Sequence, residues 1–328
     1  HVVQPSGQGG VARVFIRGGA ENLTMVLLDG VRVSDPNDSR GVPFDFSEVN
    51  LSDVERIEVV RGPLSAVHGS EALAGVINII SKEAKHEFGS SLLAEVGSDE
   101  YHRASIDLAG PIGDGGFSLR VGTKDDGEPV KGSTFTSDIV SARASFGPRD
   151  GWRVRLFGSH TDSEGTAFPE DSGGSDLAVI RVTDTRAATS SRLGMTGRVP
   201  LSDRWDLNFT GTWYDLDTSF ASPGIAPGVR DAVPPNGADA NLERAGAALH
   251  AVADIGESII ATFGADYYDE EGISDGYVEF FPGFNVPAGF ESSRSVTGVF
   301  GEIHYTTDVG PVLMASIRRD DANTGEGE

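Results

Sequence analysis

The chain has 328 residues, with 26 Lys+Arg against 50 Asp+Glu and a formal net charge of −24. Nucleic acid is therefore not expected as a partner, because binding to phosphates needs clustered cations. The chain contains no cysteine, which excludes disulfides, thiolate metal sites and cysteine nucleophiles. No stretch approaches the roughly 18 consecutive apolar residues of a membrane helix, but strands that cross a membrane give a much weaker signal and stay open.

In chain order, the first predicted strands cover Val11–Ile16 and Met25–Leu28. Asp29-Gly30 follows, flanked by apolar residues on both sides, and this dipeptide is a strong signal for a tight hairpin turn. Val31–Val33 is the predicted return strand. The segment Ser34–Asp45 is rich in Asp, Ser, Pro and Gly, so it is predicted to be a loop.

A strand, a helical turn and a second strand are predicted within Val54–Ser81. The residues Ser52–Glu55 fit a capping box, which predicts a short helix before Ile57. Pro63 favours a first helical turn over Leu64–Val67. The β-branched run Val76–Ile80 predicts the closing strand. Together these elements predict a small α+β unit.

From Glu87 onward the sequence alternates between apolar and polar residues over long segments. The clearest segment sets Trp205, Leu207 and Phe209 against Asp206, Asn208 and Thr210. Short and long connections alternate between the segments. The short ones are Ile112–Gly116, Gly147–Gly151, Pro200–Arg204, Asp254–Ser258 and Thr307–Pro311, and the long ones are Asp125–Asp138, Ser163–Thr185, Thr218–Asn241 and Gly272–Ser292. This asymmetry is typical of outer-membrane barrels.

The fold class that follows is mostly β: a small α+β domain, then an incomplete antiparallel transmembrane β-barrel of about eleven strands. Bacterial single-chain barrels have an even number of strands, so about eleven strands predict a fragment of a larger barrel. A soluble β-sandwich, as in a surface adhesin, is the alternative, because its strands alternate in the same way.

Three stretches carry a resemblance to a known family. The run RIEVVRGPLSAVHGSEALAGVINII, together with VFIRGG and MVLLDGVRVSDP upstream, resembles the plug-domain signature of TonB-dependent outer-membrane receptors. The sequence departs from the usual pattern at His68 and Ala74. The spacing is most similar to the cobalamin-transporter branch. The resemblance implies a plug over residues 1–84 and the first part of the barrel over residues 85–328, which is about half of the roughly 22 strands of a plugged outer-membrane transporter.

The same resemblance implies the function. It is that of a monomeric receptor in the outer membrane of a Gram-negative bacterium, which binds a scarce nutrient such as cobalamin or a ferric siderophore and imports it actively. Its partners would be that small-molecule nutrient, the outer-membrane lipids and the TonB energy-transducing complex, whose docking segment should precede the plug and is missing from this sequence. A passive porin or a surface binding protein without transport stays as the alternative.

The resemblance also implies two kinds of site. Arg17 and Arg61 would lock the plug to acidic residues of the inner barrel wall, whereas solvated arginines at turns are the alternative. The apical loop of the plug would touch the ligand through Asp35, Asn37, Asp38, Arg40 and Phe44; a merely polar turn is the alternative.

No enzyme is predicted, because no nucleophile motif and no clustered acid and base are evident. No cofactor is expected. Calcium is one hypothesis for the acidic clusters at Asp125-Asp126, Asp162–Asp176 and Asp266–Asp275, since Ca²⁺ takes 6–8 oxygen ligands. Solvated acidic loops are the default interpretation of these clusters.

Overall fold

The structure, a computed structural model, describes residues 2–3, 11–16, 18–35, 44–46, 49, 51, 53–61, 72–83, 87–148, 151–228, 231–256, 258–307 and 312–325. The elements before residue 84 form what we call the amino-terminal unit. They are β1 (Val2–Val3), β2 (Arg13–Val14), a 3₁₀ turn (Glu21–Leu23), β3 (Thr24–Leu28), β4 (Val31–Arg32), β5 (Val54–Arg61) and β6 (Gly75–Ser81).

The amino-terminal unit is built on a four-stranded mixed sheet in the order β4-β3-β6-β5. Strands β3 and β6 are parallel, with Met25 opposite Val76, while both outer pairings are antiparallel. The two central strands are almost entirely buried, as expected for strands covered on both faces. The turn between β3 and β4 has positive φ at both Asp29 (53°) and Gly30 (84°), the conformation of a type I′ hairpin. The predicted hairpin is therefore confirmed.

The capping-box helix predicted over Ser52–Glu55 is wrong. Val54 and Glu55 begin strand β5, and Val54 pairs with Ser81 of β6. The reason is that a sheet neighbour supplies the hydrogen bonds that an isolated segment would have found in a helical turn, and tertiary context commonly overrides local propensity. The helical turn predicted over Leu64–Val67 lies outside the described residues.

The rest of the chain forms a second, larger sheet, which we call the wall. Its strands are β7 (Gly89–Val96), β8 (His102–Ile112), β9 (Gly115–Asp125), β10 (Thr134–Phe146), β11 (Arg153–Ala167), β12 (Asp184–Ser202), β13 (Trp205–Ser222), β14 (Asn236–Asp254), β15 (Ile259–Phe281), β16 (Phe284–Pro287), β17 (Phe290–Thr306) and β18 (Val312–Thr324). A one-turn helix, α1 (Gly174–Leu177), lies between β11 and β12.

Each wall strand pairs antiparallel with the next one along the chain, from β7 to β18, except that the short β16 lies off this path and pairs with β15 alone. Eleven of the twelve strands therefore follow one another in a single order, as the sequence predicts. This up-and-down order in one layer, over the residues that the structure describes, differs from the two stacked layers of a sandwich. The sandwich alternative is not supported.

The two faces of the wall have opposite chemistry. One face exposes large apolar side chains along its strands, among them Leu119, Val121, Leu193, Leu249 and Phe263. Trp205 lies on this face too, edge-on to Phe263 with ring centroids 5.8 Å apart. The other face presents the alternate residues, and the amino-terminal unit packs on that face.

The connections of the wall also sort by end, as predicted. Residues 113–114 and 203–204 are tight turns at one end, whereas 168–183 and 223–235 are long connections at the other. The predicted connection Gly272–Ser292 is wrong in extent, because β15 alone runs for 23 residues to Phe281. Pairing with β14 and β17 keeps this acidic segment extended.

A shared hydrophobic core joins the amino-terminal unit to the wall. Side chains from the unit, including Val26 and Ile79, pack in one cluster with Tyr214, Leu216 and Leu242 of β13 and β14. The opposite face of the small sheet has its own cluster around Met25 and Val76. Among the described helices, none is long and apolar enough to cross a membrane.

Candidate functional site at the contact between the amino-terminal unit and the wall

The first ionic contact between the unit and the wall centres on Asp53, just before β5. Arg143 of β10 donates two hydrogen bonds to its carboxylate, one of them 2.9 Å from Nη1 to Oδ1. Arg120 of β9 lies 3.6 Å from Oδ1 and is also bonded to Asp107. The three side chains around this point are about nine-tenths buried. A bidentate guanidinium–carboxylate pair of this kind restrains the relative position of the two side chains as well as balancing their charges.

The second ionic contact joins Asp45 of the unit to Arg186 of β12. The Arg186 guanidinium donates to Oδ2, while Oδ1 accepts the backbone N–H of Ala12 at 2.9 Å. Both charged side chains are largely buried. Asp45 therefore links two parts of the unit to the wall at once.

The third contact uses Arg244 of β14, whose side chain is 4% exposed. Its Nη1 donates to the backbone carbonyl oxygens of Arg32 and Ser34, both at 3.0 Å. Its Nε donates to Glu270 of β15 at 2.7 Å, and Glu270 also accepts from Arg294 at 2.7 Å. The buried Arg244 side chain is thus hydrogen-bonded to a carboxylate of the wall and to two backbone carbonyls of the amino-terminal unit.

Four weaker contacts between the described residues of the unit and the wall lie around these three. Asp29 accepts the N–H and hydroxyl of Ser81 within the unit and lies 3.9 Å from Arg192 of the wall. Glu83 pairs with Arg155 at 3.1 Å, and both side chains are about half exposed. One pair has the opposite polarity, since Arg13 of the unit lies 3.1 Å from Glu170 of the wall. In addition, the Arg32 guanidinium stacks on the Tyr268 ring at 4.4 Å, a cation–π contact.

Two cavities lie between the unit and the wall. The larger measures about 260 Å³ and lies beside β6, near the tight turn that joins β10 to β11. The smaller measures about 50 Å³ and is bounded by Phe44, Asp53, Arg192 and Tyr214. The interface therefore leaves more empty volume beside β6 than around Phe44.

The structure places only part of the predicted site. Arg17, Asn37, Asp38 and Arg40 lie outside the described residues, and so does the side chain of Arg61, whose backbone ends β5. Of the loop residues that are described, Asp35 is buried. Phe44 packs edge-on against Phe46 with centroids 5.0 Å apart, next to the shared core. The roles of these residues in ligand binding and locking stay predictions.

Sequence reasoning identified no role for Asp45 and Asp53, the carboxylates that make the observed contacts. Alternation with a period of two puts Arg120, Arg155 and Arg192 on the polar face of their strands, which is the face that meets the unit. The signal was therefore present on the wall side, but the partners are distant in the chain, with Arg186 141 residues from Asp45.

Among the described residues, no group of three or more His, Cys, Asp or Glu side chains could hold a metal ion. The acidic segment Asp266–Asp275, predicted to be a loop cluster, lies entirely within β15, so its placement in a loop is wrong. Within the strand, Asp266 accepts two hydrogen bonds from Arg318, and Glu270 accepts hydrogen bonds from Arg244 and Arg294. These carboxylates are neutralised by arginine. The calcium hypothesis gains no support here.

Comparisons with known proteins point in one direction. The model of the TonB-dependent Receptor Plug Domain family matches residues 1–76. The vitamin B12 transporter BtuB of Vibrio cholerae is 37% identical over 126 residues, which are 38% of this chain and 20% of that protein. The same transporter of Photobacterium profundum is 30% identical over 172 residues, or 49% of this chain and 28% of that protein.

Solved structures share the fold. The ferripyoverdine receptor of the outer membrane of Pseudomonas aeruginosa superposes with a TM-score of 0.80 at 13% identity, covering 100% of this chain and 48% of that one. The copper transporter OprC superposes with a TM-score of 0.74 at 16% identity, covering 99% of this chain and 50% of that one. The chain thus spans about half the length of these structures. These relatives are transporters and receptors rather than enzymes.

Proposed function

We propose that the protein containing this chain is a TonB-dependent outer-membrane receptor that takes up a scarce nutrient by active transport. In this proposal residues 1–84 act as a plug, and residues 85–328 form the first part of a transmembrane β-barrel. The outward apolar face of the wall contacts lipid, and its inward face holds the plug.

The observation that carries the proposal is the seating of the amino-terminal unit on the polar face of the wall. The shared core and the buried pairs Asp53–Arg143 and Asp45–Arg186 hold it there. A passive porin would leave this face to water. A plug so held stops free diffusion, so passage requires work that moves or partly unfolds it. We propose that the TonB complex supplies this work.

For the cargo we propose cobalamin, with a ferric siderophore as the second candidate. The identity to two vitamin B12 transporters, which covers up to half of this chain, favours cobalamin. The second candidate is favoured by the fold shared with siderophore receptors. The predicted contact residues Asp35, Asn37, Asp38, Arg40 and Phe44 offer donors, acceptors and one aromatic ring, which suit a polar ligand with an apolar part.

The test is equilibrium binding of cyanocobalamin and of ferric pyoverdine to the purified full-length receptor, together with uptake by cells that depend on it. We expect saturable binding of one ligand, and uptake that stops when TonB is absent. Asp38→Ala and Arg40→Ala should weaken binding of that ligand. Uptake that continues without TonB would contradict active transport, whereas unchanged affinity in both variants would contradict only the loop assignment.

A further inference from the structure

The end of strand β15 and the short strand β16 form a hairpin, residues 277–287, which we call the β15–β16 hairpin. Pro282 and Gly283 make its turn. Gly283 has a φ of 81°, and its backbone N–H donates to the Glu279 side chain at 2.6 Å. A proline followed by a glycine with positive φ is the pattern of a type II turn. Every residue from 280 to 291 is exposed, so this end of the hairpin stands in solvent on both faces.

The tip of this hairpin is apolar, unlike an ordinary surface turn. Phe280, Phe281 and Phe284 are 60%, 69% and 57% exposed. The rings of Phe281 and Phe284 lie next to each other, with centroids 6.3 Å apart. Turns are normally built from glycine, proline and small polar residues, whereas clustered exposed apolar side chains are typical of interaction sites, and aromatic residues are enriched at their centres. The three phenylalanines therefore call for a partner.

Membrane lipid does not reach this tip in the proposed receptor. Along the outward face of β15 the apolar band ends at Tyr267, and Asp269, Glu271 and Asp275 follow on the same face. Phe281 comes 14 residues after Tyr267, which is roughly 46 Å further along the strand at about 3.3 Å per residue. A strand tilted by about 45° still lifts the tip roughly 30 Å beyond the band. The partner is therefore found outside the membrane.

The charges around the hairpin restrict the partner further. Between Arg244 and Arg294 the chain contains no lysine and no arginine. The hairpin carries Glu279, and Asp275 and Glu291 flank it in the chain. A second copy of this chain, whose net charge is −24, would bring like charges together. Complementarity therefore favours a partner that has basic residues beside its apolar ones.

Strand β16 offers its backbone as well as its side chains. It pairs with β15 along one edge, where Val286 lies opposite Val278 and Asn285 lies opposite Glu279. In the part of the chain that the structure describes, no strand pairs with its other edge. An exposed apolar edge is a template for pairing with another chain. An extended peptide that adds to such an edge gains main-chain hydrogen bonds.

We propose that the β15–β16 hairpin is a docking site for a protein partner that presents an extended segment of alternating basic and apolar residues. The segment adds to the free edge of β16 as a further strand. Its apolar side chains pack on the phenylalanines of the tip, and its cations are attracted by Glu279 and Glu291. This role goes beyond nutrient transport, because it assigns a protein–protein contact to the end of the wall far from its tight turns.

The first test uses synthetic peptides that have the chemistry of such a segment. Binding of fluorescein-labelled Lys-Val-Lys-Val-Lys-Val-Lys to the purified full-length receptor is measured by fluorescence anisotropy. One control peptide replaces every lysine by glutamate and so reverses the charge. The other is N-methylated at every peptide bond, which keeps the side chains and the charge but removes the N–H donors that strand pairing needs. We expect the first peptide to bind at least tenfold more tightly than either control.

Receptor variants locate the binding site. Phe281→Ser and Phe284→Ser should each weaken binding of the lysine peptide about tenfold, because each removes an apolar anchor. Phe88→Ser removes a phenylalanine that is 78% exposed just before β7, far along the wall from the hairpin, and as the matched control it should leave the affinity unchanged. The proposal is overturned if the receptor binds none of the peptides, if the N-methylated peptide binds equally well, or if all three variants bind like the parent.

The second test distinguishes a protein partner from other occupants of the hairpin. Phe284→Ser should leave the affinity for cyanocobalamin and ferric pyoverdine unchanged, and a tenfold loss of that affinity would assign the tip to the cargo instead. Light scattering of the purified receptor should give the same mass for the parent and for Phe284→Ser. A dimer that the substitution converts to a monomer would make the hairpin an interface between copies and overturn the proposal. Neither result would touch the transport function, which depends on uptake with and without TonB.

Discussion

Asp53 offers the sharpest test of how the amino-terminal unit is held. We predict that Asp53→Asn loosens the unit on the wall while the wall itself stays folded. Asparagine keeps the size of the side chain but removes the charge that faces Arg143, whose Nη1 donates to Oδ1 at 2.9 Å, and Arg120, which lies 3.6 Å from the same oxygen. Removing one partner of a buried pair typically costs about 3–5 kcal/mol, because the other charge is left without compensation.

The structure sets the expected effect near the lower end of that range. Arg120 keeps its bond to Asp107 in the variant, so Arg143 is the main charge left uncompensated. A loss of about 3 kcal/mol corresponds to roughly a hundredfold change in an opening equilibrium. Glu83→Gln is the matched control, since the Glu83–Arg155 pair is about half exposed and exposed pairs contribute about 0.2–1 kcal/mol.

The assay is native-state hydrogen exchange of the full-length receptor, read on the amides of β5 and β6. Exchange reports local opening free energies region by region. We expect these amides to exchange about a hundredfold faster in Asp53→Asn, less than about tenfold faster in Glu83→Gln, and no faster in wall strand β13 for either variant. If Asp53→Asn behaved like Glu83→Gln, the idea that this buried pair anchors the unit would be refuted.

Three further perturbations test other parts of the structure. Arg244→Gln should destabilise the attachment of the amino-terminal unit by about 3–5 kcal/mol and speed up amide hydrogen exchange in that unit. Arg318→Gln breaks a pair within the wall. It should lower the denaturant concentration at which the protein unfolds, with no faster amide exchange in the amino-terminal unit. Gly30→Ala should lower the midpoint of thermal unfolding through a cost of about 1 kcal/mol, since its φ is positive and open space surrounds it. Leu193→Arg puts a charge on the apolar outer face of the wall, which should cost about 2–4 kcal/mol of stability in the membrane and reduce membrane insertion. Insertion is measured by outer-membrane fractionation, with Leu193→Phe as the control. Equal insertion of the two variants would contradict the assignment of that face to lipid.

Much of the fold could be predicted because its signals are local. Alternation with a period of two assigns the faces of a strand directly, which is why Leu207 and Phe209 fall on one side and Asn208 on the other. The Asp29-Gly30 turn is determined by its own backbone preferences. The prediction of a capping-box helix over Ser52–Glu55 was wrong because Val54 pairs with Ser81, which lies 27 residues further along the chain.

The contacts of the site could not be predicted, because they depend on distant pairings. Alternation indicated that Arg120 and Arg192 face inward, but it does not specify which carboxylate meets them. Arg143 and Asp53 are 90 residues apart, and nothing local distinguishes Asp53 from other acids of the loops. Arg244 binds backbone carbonyls, which carry no sequence signal at all.

In the proposed outer-membrane receptor, the length of β15 has a consequence for the part of the protein that faces outward. A tilted strand needs about 9–11 residues to cross the hydrocarbon layer, and β15 has 23. More than half of it therefore stands clear of the lipid, braced by β14 and β17 along most of its length. An antibody, a phage or a bacteriocin that approaches this part of the receptor would meet a stiff ridge of paired backbone with a fixed shape.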